Sequence, residues 1–231
     1  MRWGLAVLLS ASGCGTVLAA SESGSSPSDT GADAAPAVTD DGGAGGDAAD
    51  GSSSGDDGAT TTCPGAAACE RVVFMTNAQF HPDEIVGIFG ADTKCEDAAR
   101  ASTNARVMGR KFRAWISAGT VSPSSRLVHG TKPYVLPSGA QIAVNWDQLA
   151  SAAHLAMMTE NENGVPAAQT YLTWTGTTAT GTPSGQDCGG WTTKENNQNG
   201  TKGDSRTITD EWSNDGTDSC DQDHRIYCVE E

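Results

Sequence analysis

Apolar residues in this chain come in short runs separated by long polar stretches. Two runs, Arg71-Val-Val-Phe-Met-Thr76 and the terminal Ile226-Tyr-Cys-Val229, are continuous, as in strands covered on both faces. A third, Lys111-Phe-Arg-Ala-Trp-Ile-Ser117, places Phe112, Ala114 and Ile116 on one face and Trp115 on the other, again predicting a strand covered on both sides. Tyr171-Leu-Thr-Trp-Thr175 adds a fourth through its β-branched and aromatic content. Helical spacing runs from Ala91 to about Ala105, where Ala91, Cys95, Ala98, Ala99 and Ser102 form one inward stripe. Its small side chains let a helix lie close to a sheet, and the Ser102 hydroxyl is expected to bond the carbonyl of the preceding turn. Asn145 is placed to cap a second, short helix, Asn145-Trp-Asp-Gln-Leu149.

The connecting segments read as loops: Asn77 to Gly90, which contains His81-Pro82, then Gly176 to Gly185, then the polar run Asn196 to Asp204. Thr131 to Ile142 reads as extended pieces around a Ser138-Gly139 turn, and Cys188-Gly-Gly-Trp191 as a compact turn or the start of a strand. Together these elements predict an α+β domain.

Composition confines that domain to part of the chain. Residues 21–62 are almost entirely Ser, Gly, Ala, Asp and Thr, with nothing large and apolar to offset the entropy of ordering the backbone, and so predict a disordered acidic linker. As a flexible coil of about 42 residues it would span roughly 35 Å. Residues 63–231 hold five of the six Trp and every Phe and Tyr, enough for a single core. Of the formal charge of -15, this part carries -7. Such a surface repels polyanions, which disfavours nucleic acid and heparin as partners.

Seven cysteines, none in a CxxC pair or at metal-ligand spacing to a His, predict disulfides and therefore an exported chain. Residues 1–20 agree, with Arg2 followed by an apolar Leu5 to Leu9 and then small residues, as in a secretory signal. Two processing routes fit. Ala11-Ser-Gly-Cys14 resembles a bacterial lipobox, which would make Cys14 the lipidated first residue, and an ordinary cut after Ala19 or Ala20 fits as well. The lipobox is preferred because a polar tether commonly follows the lipid, and this makes the chain a membrane-anchored lipoprotein, held to the membrane through its lipid alone. Either route leaves six cysteines. Cys63-Pro-Gly-Ala-Ala-Ala-Cys69 reads as a local loop closed by its own disulfide.

Four segments in order resemble the C-type lectin-like fold and, within it, the endostatin-type domain. They are Gly90-Ala-Asp92 with Cys95 and Ala99-Arg100; Phe112-Arg-Ala-Trp-Ile-Ser117; Asn145-Trp-Asp-Gln-Leu149; and Trp174-Thr-Gly176 through Cys188 and Trp191 to Cys220 and Cys228. The chain is also similar to an uncharacterised family of bacterial secreted domains on that fold. The resemblance covers roughly residues 71–231 and implies two helices around twisted antiparallel sheets, with Cys95 bonded to Cys228 and Cys188 to Cys220. Cys63 and Cys69 are then left for each other.

Sugar-binding lectins of the fold hold calcium with an acid-Pro-Asn loop and a Trp-Asn-Asp strand. Trp212-Ser-Asn-Asp215 comes close to the second element, with Ser213 interrupting it, and makes Trp212, Asn214, Asp215 and Asp218 the candidate ligand loop. Asn214 and Asp215 are the candidate calcium ligands there, and no other cofactor is implied. Glu160 to Pro166 has suitable oxygens in the wrong order and reads as a solvated acidic loop. The dense arginine surface behind endostatin's heparin binding and its N-terminal zinc histidines have no counterpart here. His81, His129, His154 and His224 lie far apart and form no metal motif; no GxSxG elbow, Walker loop or dinucleotide fingerprint occurs; and the adjacent Asp210-Glu211 would diverge on a strand. Trp174, Trp191 and Trp212 are expected in the core. The expectation is a tethered, non-catalytic module for adhesion or binding, with an extracellular glycan or protein as partner. A structural envelope component is the alternative, and an envelope enzyme a third.

Overall fold

A computed structural model describes residues 69–168 and 171–231. The expected signal and lipobox region, Cys14, the 21–62 linker and Cys63 lie outside the described residues.

The domain is α+β, with a mixed sheet of eight strands and few helices. The strands are β1 (Arg71–Met75), β2 (Phe112–Ala114), β3 (Tyr134–Val135), β4 (Gln141–Ala143), β5 (Leu172–Trp174), β6 (Asn199–Asp204), β7 (Thr217–Ser219) and β8 (Arg225–Glu230). Four helices precede β5: α1 (Pro82–Ile85), α2 (Gly87–Ala101), α3 (Pro123–Arg126) and α4 (Trp146–Leu149). Strand order is β4-β3-β1-β8-β5-β6-β7, with β2 also paired to β8. The terminal strand is therefore the hub: it runs antiparallel to β1 and β2 and parallel to β5.

The alternation of side chains on these strands builds two cores. Val72, Phe74, Phe112, Ala114, Ile116, Ile226 and Cys228 face one way, against Ala91, Cys95 and Ala99 of α2. Val73, Met75, Trp115, Tyr227 and Val229 face the other, against Tyr134, Ile142, Trp146, Leu149 and Trp212. Covered on both sides, β1 and β8 have no polar face to present, which is why their sequences run continuously apolar. The Cys95–Cys228 disulfide joins α2 to β8, and Cys188–Cys220 joins a loop turn to the segment entering β8. These are the two pairs the resemblance implies. Cys69 is also disulfide-bonded.

Helix α2 begins at Gly87 and ends at Ala101, about four residues ahead of expectation at each end. Gly90 is what misleads, because it reads as a loop residue. In the structure an added Cβ there would lie 1.8 Å from the Ile85 carbonyl oxygen, so only glycine lets α1 and α2 meet. Asp92 on α2 accepts from Ala114 N at 2.9 Å, and its two oxygens take Arg126 Nη1 at 2.9 Å each, so one carboxylate ties α2 to both β2 and α3. Ser102 is the C-cap and not a helical residue, and its hydroxyl donates to Glu162 O at 2.6 Å instead of to the preceding turn. Asn145 caps α4 as expected, accepting from Gln148 N at 3.0 Å. The polar run expected as loop contains β6, whose Asn-Gly-Thr-Lys-Gly-Asp sequence has low strand propensity but pairs with β5 on one side and β7 on the other.

Candidate functional site

The loop Trp212 to Asp218 does not present its side chains together. Trp212 is 1% exposed. Its ring lies 4.8 Å from that of Trp115, and its Nε1 donates to Ser151 O at 2.9 Å, so it belongs to the second core and is not available to a ligand. Ser213, which interrupts the Trp-Asn-Asp pattern, is fully buried. Its hydroxyl accepts from Trp115 Nε1 at 2.8 Å and faces the carbonyls of Thr177 and Thr178 at 3.0 and 3.2 Å, while its own carbonyl accepts from Thr175 Oγ1 at 2.6 Å. Asp215 is taken by Lys202, whose Nζ lies 2.8 Å from Oδ2 and 2.7 Å from the Asp215 carbonyl. Asp218 Oδ2 pairs with His224 Nε2 at 3.1 Å. Asn214 is exposed. The two candidate calcium ligands thus have different surroundings, one open and one already neutralised. Among the described residues no group of three or more His, Cys, Asp or Glu side chains is placed to hold a metal.

Glu160 to Pro166 departs from the solvated loop expected of it. Asn161 is 6% exposed and Glu162 8%. The Asn161 side-chain oxygen accepts from Asn163 N and Val165 N and closes the turn, while Glu162 Oε2 accepts from Asn77 N at 2.8 Å. Glu160 Oε2 accepts from Ser138 N at 2.9 Å. These oxygens brace backbone, as do the carboxylates of Asp92 and of Glu230, which accepts from Val72 N at 2.7 Å and from Arg110 at 2.6 Å.

The histidines also hold structure. His129 stacks on Trp146 at 4.2 Å, and His81 Nδ1 lies 3.3 Å from Asp223. His154 is buried against Trp212 with Nε2 2.8 Å from Leu149 O, and burial pushes its pKa below the usual histidine value. His224 packs on Trp174 and is likewise lowered by burial, against the opposing pull of Asp218.

The most unusual backbone lies at Cys188–Trp191, a single helical turn of left-handed sense with φ of 49°, 63°, 71° and 63° in succession. Glycine adopts this conformation freely, but Cys188 and Trp191 each carry a cost of about 1–2 kcal/mol. Three contacts hold the turn. Cys188 is bonded to Cys220, Trp191 is fully buried with Nε1 donating to Ser117 O at 2.7 Å, and Asp187 accepts from Gly190 N at 3.0 Å and Gly119 N at 2.9 Å. Beneath it, an added Cβ at Gly200 would lie 2.9 Å from Cys188 Sγ, 3.0 Å from the Trp174 ring and 3.1 Å from the Trp191 ring.

Between this turn and the start of β6 opens a cleft of about 420 Å³ lined by Gln186, Asn197, Gln198 and Asn199, each of which carries a side-chain amide. All four are exposed, and none of the four amides has a hydrogen bond to another described residue. Sequence reasoning passes over them as loop. The signal is the Asn196-Asn-Gln-Asn199 run itself, but Gln186 joins it only through the fold, where Thr201 N donates to Gln186 O at 2.9 Å.

No protein-family model and no curated protein matches this sequence.

Proposed function

We propose that this domain is a non-catalytic binding module of C-type lectin-like type, recognising an extracellular glycan or protein on the face that carries the left-handed turn and the β6–β7 pair. One observation carries the reading: a strained turn with two non-glycine residues at positive φ, clamped by a disulfide, a buried indole and a carboxylate, beside exposed amides that have no hydrogen-bond partner among the described residues. Backbone strain of this kind persists where the surroundings over-determine it, and it gathers at ligand clamps and active sites. Against an active site stand the carboxylates: Asp92, Glu160, Glu162, Asp187, Asp218 and Glu230 each accept from a backbone amide, and Asp215 is paired with Lys202. A general acid or base needs its carboxyl free to exchange a proton with substrate.

The same reading puts the module outside the membrane on a polar tether, lipidated at Cys14. Among the described residues no helix is long and apolar enough to cross a membrane. Fractionation checks the anchor: wild type is expected in the membrane fraction and Cys14→Ser in the soluble one, and equal solubility of the two would remove it. The binding function is tested by probing an array of glycans and extracellular proteins with the full-length chain, with and without calcium. Saturable retention on one class is expected, and retention on neither would refute the reading.

A further inference from the structure

We infer that the amide-lined cleft is a site for an uncharged, hydroxyl-rich saccharide, bound without calcium; this rests on the binding-module reading and names its ligand class. The lining decides the chemistry. A side-chain amide offers two donors and an acceptor in one plane, which matches hydroxyl groups that donate and accept in turn. Gln186, Asn197, Gln198 and Asn199 together supply four such groups around about 420 Å³, within the roughly 300–1,000 Å³ of small-ligand sites.

Charged ligands fit worse. Among the described residues no Lys or Arg lines the cleft to neutralise a phosphate, sulfate or carboxylate, and the one acid among them, Asp187, already accepts from two backbone amides, Gly190 N and Gly119 N. An ion entering would lose hydration with no opposite charge to replace it. Nor does a Phe, Tyr or Trp line the space among the described residues, and the neighbouring Trp174 and Trp191 are fully buried. The sugar is therefore held by its hydroxyl edges and not by stacking.

The walls are fixed before a ligand arrives. Gln186 O accepts from Thr201 N at 2.9 Å, Gln198 O accepts from Cys220 N at 3.0 Å, and Cys220 is bonded to Cys188 at the opposite wall. Such pre-ordering reduces what binding must spend on loop entropy, leaving only side-chain rotamers to settle. Gly189 faces the same space, with an added Cβ 3.5 Å from Gln198 Oε1.

The test uses the full chain, in calcium chelator and again with calcium, on an array of neutral hexose and N-acetylhexosamine oligosaccharides, beside sialylated and sulfated glycans and extracellular proteins. Retention on neutral saccharides is expected. The exposed double variant Gln198→Ala/Asn199→Ala should weaken it by at least about tenfold, the equivalent of losing one or two net hydrogen bonds, with its melting temperature unchanged. Gln198→Glu, which keeps the size and removes the donors, should weaken it too. Glycan binding that is indifferent to these changes, restricted to charged glycans, or dependent on calcium would overturn the inference. Retention of a protein and no glycan would also overturn it while leaving the binding-module reading intact, and no retention at all would remove both.

Discussion

Trp115 and Ser213, 98 residues apart in sequence, meet in the second core, where the indole Nε1 donates to the serine hydroxyl at 2.8 Å. The same hydroxyl faces the carbonyls of Thr177 and Thr178, so a single oxygen joins the strand extension after β2, the loop after β5 and the turn before β7. The residue that spoils the Trp-Asn-Asp pattern in sequence is thus a structural one.

Ser213→Ala leaves the buried Trp115 N–H without its acceptor, so the variant should lose about 1–3 kcal/mol of stability. Urea unfolding followed by tryptophan fluorescence measures it. An unchanged midpoint would mean that another group replaces the hydroxyl.

The two disulfides should differ in worth. Cys95–Cys228 spans 133 residues and Cys188–Cys220 spans 32. Constraint of the unfolded chain then gives about 5 and about 4 kcal/mol respectively. Paired Cys→Ala variants are expected to fall in that order in denaturant midpoint. Loss of Cys188–Cys220 should in addition release the left-handed turn, read as faster amide exchange at Gly190 and Trp191.

Much of the frame is legible in the sequence. The strands β1 and β8 show themselves because a strand covered on both faces is continuously apolar, β2 because Phe112, Ala114 and Ile116 share one face with Trp115 on the other, and Asn145 because a cap must carry a short acceptor. What stays hidden depends on close tertiary approach. Gly90 and Gly203 look like breakers. Yet Gly90 lets α1 meet α2, and Gly203 lets β6 pass the Trp212 carbonyl, which would stand 2.0 Å from an added Cβ. The buried Asn161 and Glu162 mislead for a related reason, since their polar atoms are satisfied by Asn77, Asn163 and Val165, partners that composition does not announce. The cleft is half visible: a run of amides is apparent, but its convergence with Gln186 follows from the pairing around β6.

Stability should fall on mild acidification. His154 has a pKa below the ordinary histidine value of 6.5 because burial disfavours its charged form. The unfolded chain therefore binds this proton first as pH drops, so the contribution of His154 is complete above 6.5 and is lost progressively below it. His224 is shifted the same way and adds to the loss. Denaturant midpoints are expected to be lower at about pH 5.5 than at about pH 7.5. His154→Phe should reduce that difference, while a difference as large as wild type would assign it to other groups.

Calcium should leave thermal stability unchanged, since Lys202 already neutralises the Asp215 carboxylate at 2.8 Å. A metal that binds only the folded state must raise the melting temperature. A concentration-dependent rise would restore the Asn214 and Asp215 site and with it a metal-bridged ligand.

A domain that binds its ligand without transforming it must return that ligand intact. The decisive measurement incubates the full-length chain at equimolar concentration with the ligand retained on the array and reads the dissociation constant and the mass of the recovered ligand. Saturable binding with the ligand mass unchanged is the predicted result. A ligand returned cleaved, or otherwise altered in mass, would contradict it.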